Sequence, residues 1–135
     1  MDFRVISHAD MRYDTCGDYF KDAGGWHFRA ARLSKHRYSR LILIHEFIEW
    51  ALCRLCLVNF DGIDLFDIAY ERARKLRNSQ NFHVLTRCGC VPTETSEPGG
   101  DPHAPYHRQH RIATALERFC AVVLWVRWDV YATEV

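Results

Sequence analysis

The chain has 135 residues, of which 48% are apolar and 13% are aromatic. This length and composition can bury one ordinary hydrophobic core, which argues against extensive disorder and predicts a single domain over residues 1–135. With 18 basic and 17 acidic residues the formal net charge is +1. Because the charges nearly balance, we expect no broad electrostatic surface for nucleic acid.

The sequence also bears on the compartment. Residues 1–4 lack the apolar segment of a secretory signal, and the apolar runs 41–44 and 121–126 are far too short to cross a bilayer. We therefore expect a cytoplasmic protein without a membrane partner. In such a reducing compartment the six cysteines are expected to be free or metal-bound rather than paired.

The predicted fold class is α+β, with a small N-terminal antiparallel sheet packed on a buried central helix and two further helices. Residues 3–7 alternate as a strand does, and strand-like segments at 16–20 and 26–30 flank a glycine-rich turn. The sheet is therefore predicted over about residues 2–32. The first helix is predicted over about 37–58, and because it is apolar on nearly all sides it should be central.

The rest of the chain is predicted to hold two helices and a loop. Asp61-Gly62 is expected to end the first helix, and Asp64 then starts a second helix over about 64–77. A long loop follows at about 78–104, and the last helix runs over about 105–127. Its apolar residues recur at helical spacing and are predicted to be core: Ile112, Ala115, Leu116, Phe119, Val122, Val123 and Val126.

A polar cluster interrupts the apolar first helix. His45 and Glu46 follow the apolar run 41–44, and Glu49 comes three residues after Glu46. Burying unpaired carboxylates is costly, so two of them in such a helix require compensation. His45 and Glu49 are four apart and share one helical face, where they could bind one metal ion. Glu46 then lies where a general base for a metal-bound water would be.

Imidazoles and carboxylates in the second half of the chain offer further ligands. They lie at the start of the second helix and along one face of the last helix. Antiparallel packing of the long helices would bring them toward His45 and Glu49. The third ligand is predicted to be His110, with Asp67 as the alternative. Additional candidate ligands are His107, Glu117 and Asp64.

The segment from His45 to Glu49 resembles the His-Glu-x-x-His helix of zincins, with Glu49 in place of the second histidine. The resemblance implies a divalent metal, zinc above all, and hydrolysis of peptide or amide bonds with Glu46 as the base. A carboxylate ligand also suits manganese or iron. Phosphoester hydrolysis at a two-metal carboxylate site stays open as well.

Across most of its length the chain also resembles small proteins encoded by tailed phages and prophages. That resemblance implies no particular activity, but it supports treating the shared motifs as one site in a protein of the host cytoplasm. The motifs are an Arg-Tyr…Gly-Asp start, His45-Glu46-x-x-Glu49, Ile63-Asp64-x-Phe66-Asp67, and the run from Glu97 to His110 together with Glu117.

Other interpretations compete with a catalytic metal site. Arg40, Arg54 or Arg111 could pair the carboxylates of a purely structural cluster. The chain would then be a non-catalytic accessory protein that binds a host or viral protein. Separately, four thiolates could hold a structural zinc ion, although pairs of this spacing usually lie on turns rather than inside a helix. These thiolates belong to Cys53, Cys56, Cys88 and Cys90.

Overall fold

A computed structural model describes residues 1–78 and 97–135 of the chain. For residues 76–78 it describes the backbone only. It confirms the α+β class, because the described residues form a three-stranded sheet and four helices. Short 3-10 turns lie at His8–Asp10 and Pro98–Gly100. In chain order the elements are β1 (Asp2–Ile6), β2 (Gly17–Asp22), β3 (Gly25–Ala31), α1 (His36–Leu55), α2 (Phe60–Asn78), α3 (His107–Val123) and α4 (Trp128–Tyr131).

The sheet has the strand order β1-β3-β2 and is mixed rather than wholly antiparallel. The predicted hairpin is confirmed, since β2 and β3 pair antiparallel and Gly25 adopts a φ of 112° at their turn. β1 instead pairs parallel with β3. Residues 7–16 connect β1 to β2 across the C-terminal end of β3. The two strands therefore flank β3 on opposite sides, and β1 runs in the same direction as β3.

The boundary between the first two helices lies earlier than predicted. α1 ends at Leu55, because the backbone amide of Val58 bonds to the carbonyl of Cys53 and turns the chain out of the helix. α2 already begins at Phe60, and the side chain of Asn59 caps it by accepting the amide of Asp61 at 3.0 Å. Asp61 and Gly62 therefore lie within α2 rather than marking the end of α1.

The last predicted helix ends earlier than expected. α3 ends at Val123, and the amide of Val126 bonds to the carbonyl of Ala121 in the same kind of terminal turn. Residues 128–135, which follow the predicted helix, contain α4, and Tyr131 of this short helix is buried. Of the predicted loop at 78–104, residues 79–96 lie outside the described part of the chain.

The described residues fall into two compact units. The first comprises Met1–Leu52 and Ile112–Val135 and therefore contains the sheet, most of α1 and most of α3. Its core combines Ala30 of the sheet with residues of α1, α3 and the C-terminal segment, namely Tyr38, Leu41, Ile42, Ala121, Val126 and Tyr131. Beside this core, Phe28 of β3 packs edge-on against Trp50 with ring centroids 5.5 Å apart.

The second unit comprises Cys53–Arg111. Its buried cluster joins Cys53, Ile63, Ala104 and Tyr106. The hydroxyl of Tyr106 donates to Asp67 at 2.7 Å, which satisfies a buried carboxylate of α2. The prediction of one domain over residues 1–135 stays a prediction.

The predicted core face of α3 is wrong at most positions. Val126 is buried as expected, but the large apolar residues of the helix face outward. The buried residues of its first-unit segment are Ala113, Glu117 and Ala121. The predicted core residues that are exposed are Ile112, Ala115, Leu116, Phe119, Val122 and Val123. No helix in the described part of the chain combines the length and hydropathy that a membrane crossing needs.

The end of α1 provides a test of this backbone geometry. Leu57 is exposed and has a left-handed φ of 55°, a conformation that costs a side-chain-bearing residue about 1 kcal/mol. We expect Leu57→Gly to raise the free energy of unfolding by about 1 kcal/mol, as measured by urea denaturation. The matched control Leu55→Gly alters an equally apolar, exposed residue at the last position of α1, where φ is not left-handed. It should lower the free energy of unfolding by up to about 1 kcal/mol. If both variants lost the same free energy of unfolding, the left-handed conformation assigned to Leu57 would be wrong.

Candidate metal centre

The polar cluster of α1 has the placement that its spacing predicts. His45 and Glu49 lie one helical turn apart, and both are buried. Glu46 projects from the neighbouring face and is only half-buried. The two predicted ligands thus lie inside the fold, while the predicted base retains contact with solvent.

His45 is held by a chain of hydrogen bonds within the first unit. Its Nδ1 donates to Oε2 of Glu117 at 3.0 Å. The other carboxylate oxygen of Glu117 accepts the hydroxyl of Tyr131. Because both oxygens of Glu117 are engaged, this carboxylate orients the His45 ring rather than presenting a free oxygen to an ion. A carboxylate behind a histidine nitrogen is the usual support of a metal-binding imidazole.

The carboxylates around His45 control its protonation. Burial by itself would lower the pKa of His45, since it disfavours the imidazolium. The hydrogen bond to Glu117, the contact with Glu49 and the charge of Glu46 outweigh that effect and raise the pKa of His45 well above its ordinary value. The carboxylates therefore favour the protonated, cationic form of this ring.

The second nitrogen of His45 faces Glu49. The distance from Nε2 to Oε2 of Glu49 is 3.4 Å, which is long for a direct hydrogen bond of about 2.7–3.2 Å. Two ligands that bind one tetrahedral zinc ion at about 2.0–2.1 Å lie about 3.3 Å from each other. The separation of these two atoms therefore fits a shared metal ion.

His110 of α3 completes a group of three donors. One ligand atom from each of His45, Glu49 and His110 lies within 4.8 Å of the others. Among the described residues this group could hold a metal ion, as the sequence predicts for these three side chains. The other predicted ligands are not members of the group, and their metal-binding roles stay predictions.

The carboxylate of Glu46 lies against the backbone of β2. A methyl group added at Gly17 would meet Oε1 of Glu46 and come within 2.7 Å of its Cδ and of Cγ2 of Ile42. Glycine at this position thus leaves the space that the Glu46 carboxylate occupies. The sequence identifies Glu46 by its place in the motif. Only the phage-protein resemblance, whose Gly-Asp start is Gly17-Asp18, groups Glu46 with Gly17.

The surroundings of His110 lie in the second unit. Its Nε2 is 3.3 Å from Oε2 of Glu97. A methyl group at Gly99 would lie 2.5 Å from Cγ of the His110 ring, so the 3-10 turn packs directly on this imidazole. His107 donates from Nδ1 to the carbonyl of Gly99 at 3.1 Å and so fixes the same turn.

The remaining predicted residues have other surroundings. Asp67 is buried and accepts the hydroxyl of Tyr106. Asp64 lies one turn earlier in α2 and is half-buried. Cys53 is buried in the core of the second unit, whereas Cys56 follows α1 and is exposed. Cys88 and Cys90 lie outside the described residues, so the four-thiolate zinc site stays untested.

Three residues of these networks received no ligand or base role in the sequence analysis, although two of them, Glu97 and Tyr106, lie in its motif run 97–110. Tyr131 and Tyr106 orient carboxylates through their hydroxyls, and Glu97 contacts His110. Buried tyrosines usually need a partner for the hydroxyl, which is the one general signal that could have suggested the first two. No spacing rule links Tyr131 to α1, because the contact is long-range.

Comparison with known proteins adds no assignment. No protein family, curated protein or solved structure matches the chain.

The protonation of His45 gives a pH-dependent stability. The folded pKa exceeds the unfolded value of about 6.5, so this contribution is complete below about pH 6.5 and is lost as the pH rises through the folded pKa. We expect the unfolding free energy of the metal-free chain to fall as the pH rises from about 6.5 through the folded pKa of His45. Urea denaturation with a chelator present would measure it. His45→Gln should remove this component, and His8→Gln, at an exposed histidine, should keep it. If the unfolding free energies of the parent chain and His45→Gln depended on pH in the same way, the raised pKa of His45 would be contradicted.

Proposed function

We propose that the protein is a zincin-like, metal-dependent hydrolase in which His45, Glu49 and His110 bind the metal and Glu46 is the general base. The observation that carries the proposal is the convergence of the three donor atoms to within 4.8 Å of one another. These donors come from buried or half-buried side chains, and the half-buried Glu46 is the residue next to His45.

The donor set favours zinc. Two imidazoles and one carboxylate form a known three-ligand set of catalytic zinc sites, in which a fourth position is left for water or substrate. The carboxylate also suits manganese or iron, which stay as alternatives. When bound, such a metal polarises the bond to be cleaved and makes water more acidic.

Glu46 would accept the proton of the attacking water. Its carboxylate lies against Gly17, so the side chain is confined on one side by the backbone of β2. Its partial exposure gives it contact with water, which a general base in hydrolysis requires. Its negative charge also acts on the His45 imidazole, which indicates that the two groups are close.

Glu117 and Tyr131 would act as positioning residues. Glu117 fixes Nδ1 of His45, and this hydrogen bond leaves Nε2 directed toward Glu49. Tyr131 in turn fixes Glu117. A supported imidazole loses less rotational freedom when it binds a metal, so these contacts should raise metal affinity.

Peptide or amide bonds are the proposed substrates, because the His45–Glu49 segment resembles the zincin helix. Phosphoester hydrolysis is the other hydrolytic alternative, and a phage-encoded origin remains part of the proposal. A second candidate function is a non-catalytic accessory protein that binds a host or viral protein. It is favoured by one observation: both ring nitrogens of His45 face carboxylates, as expected of a structural ion pair.

Metal content and hydrolysis separate these functions. We expect about one metal ion per chain by elemental analysis of untagged protein, and negligible metal in His45→Ala/Glu49→Ala. Glu46→Gln should keep its metal but lose at least about 100-fold in cleavage rate. Cleavage would be followed with a quenched fluorogenic peptide library and with a nitrophenyl phosphodiester, which distinguish amide from phosphoester chemistry.

Each failure has a distinct meaning. Negligible metal in the folded parent chain, even after zinc is added, would overturn the metal site and leave the accessory protein. Metal that persists in a folded His45→Ala/Glu49→Ala variant would place the ion elsewhere. A zinc-loaded chain that cleaves neither probe would contradict the hydrolase while retaining the metal site.

The positioning role of Tyr131 is tested through zinc affinity. Tyr131→Phe removes the hydroxyl that holds Glu117 and should weaken zinc binding by about 10- to 100-fold, as measured by competition with a chromophoric chelator. Tyr38→Phe is the matched control, because the Tyr38 ring packs on Tyr131 but its hydroxyl accepts from Lys35 at 3.1 Å. Equal zinc affinity in the two variants would contradict the positioning role.

A further inference from the structure

The outer face of α3 carries an apolar surface that no described element covers. Its residues are between 41% and 89% exposed, although all of them are of types that normally form cores. We call this surface the α3 stripe. It consists of Ile112, Leu116, Phe119, Val122 and Val123 of the helix and Trp125 just after it.

The stripe faces outward because the opposite face of α3 is held by polar contacts and small residues. Glu117 is turned inward by its bonds to His45 and Tyr131. Ala121 is buried in the core of the same unit. Successive helical residues are rotated by about 100°, so Phe119 and Val123 lie on the side away from Glu117 and Ala121. The exposure of the stripe therefore follows from the contacts of the inner face.

Trp125 extends the stripe at a conformational cost. It has a left-handed φ of 53°, which favours glycine, and its side chain is 89% exposed. The guanidinium of Arg37 donates to the carbonyl of Trp125 at 3.1 Å and helps to hold this turn. A strained tryptophan that packs on little of its own chain is more consistent with contact to a partner than with stabilisation of the monomer.

The size of the stripe matches that of a protein interface. Aromatic side chains offer roughly 150–250 Å² each, so Phe119 and Trp125, at 67% and 89% exposure, together leave roughly 300 Å² uncovered. The four aliphatic residues of the stripe enlarge this area. The largest apolar patch on a typical monomer is about 300–600 Å². A stable interface of standard size buries about 800 Å² per partner.

We propose that the α3 stripe binds the same surface of a second copy of the chain. Ile112, Leu116, Phe119 and Val123 are spaced by four, three and four residues, which is the spacing of a coiled-coil seam. This spacing reads the same in both directions. An antiparallel pair related by a two-fold axis therefore places Ile112 opposite Val123 and Leu116 opposite Phe119, as closed dimers require.

Sedimentation velocity at a series of concentrations tests this dimer. The parent chain should sediment as a species whose mass is twice that of one chain. Phe119→Glu and Val123→Lys, which introduce charges of opposite sign into the stripe, should each weaken the dimer at least tenfold. Leu65→Glu is the matched control, because Leu65 is 72% exposed on α2 and lies outside the stripe. It should leave the dimer intact.

Far-ultraviolet circular dichroism and urea denaturation would show that the variants fold. Their folding is expected, because the substituted side chains are exposed in the monomer. A parent chain that stays monomeric at the highest concentration would overturn the proposal. So would a dimer that survives both stripe substitutions, or one that Leu65→Glu disrupts to the same extent. The dimer does not depend on the proposed metal site, so either can fail without the other.

Discussion

The hydrogen bond between His45 and Glu117 is the interaction on which the rest of the first unit depends. It joins α1 to α3 through two side chains that are both buried, and Tyr131 closes the chain from the C-terminal segment. A buried carboxylate that lost these partners would carry a large desolvation penalty. The rotation of α3 about its own axis thus follows from this polar contact and from small buried residues such as Ala121, rather than from the large apolar residues of the helix.

This constraint gives α3 two faces with different roles. The inner face supports the imidazole of His45, and His110 of the same helix belongs to the group that could hold a metal ion. The outer face carries Phe119, Val123 and their apolar neighbours into solvent. The proposed metal centre and the proposed dimer surface are therefore consequences of a single orientation. A protein that placed its largest apolar residues inward could not keep Glu117 against His45.

The sequence predicts the elements better than it predicts how they pack. Hairpin turn chemistry and the apolar run of α1 are local signals, and both are confirmed. The parallel pairing of β1 and the exposure of Phe119 are set by long-range contacts. The spacing of apolar residues along the sequence does not predict such contacts. At the site, the four-residue spacing of His45 and Glu49 finds two of the three clustered donors. The link from His45 through Glu117 to Tyr131 spans most of the chain and leaves no motif.

Nitrogen-15 NMR of the His45 ring during a zinc titration tests the central claim most directly, with His45→Gln used to assign the resonances. Before zinc is added, both ring nitrogens should be protonated at neutral pH, because the surrounding carboxylates raise the pKa of this side chain. With one equivalent of zinc, Nε2 should lose its proton and shift, while Nδ1 keeps the proton that it donates to Glu117. If both nitrogens remain protonated in excess zinc, His45 is not a ligand and the cluster is a structural ion pair.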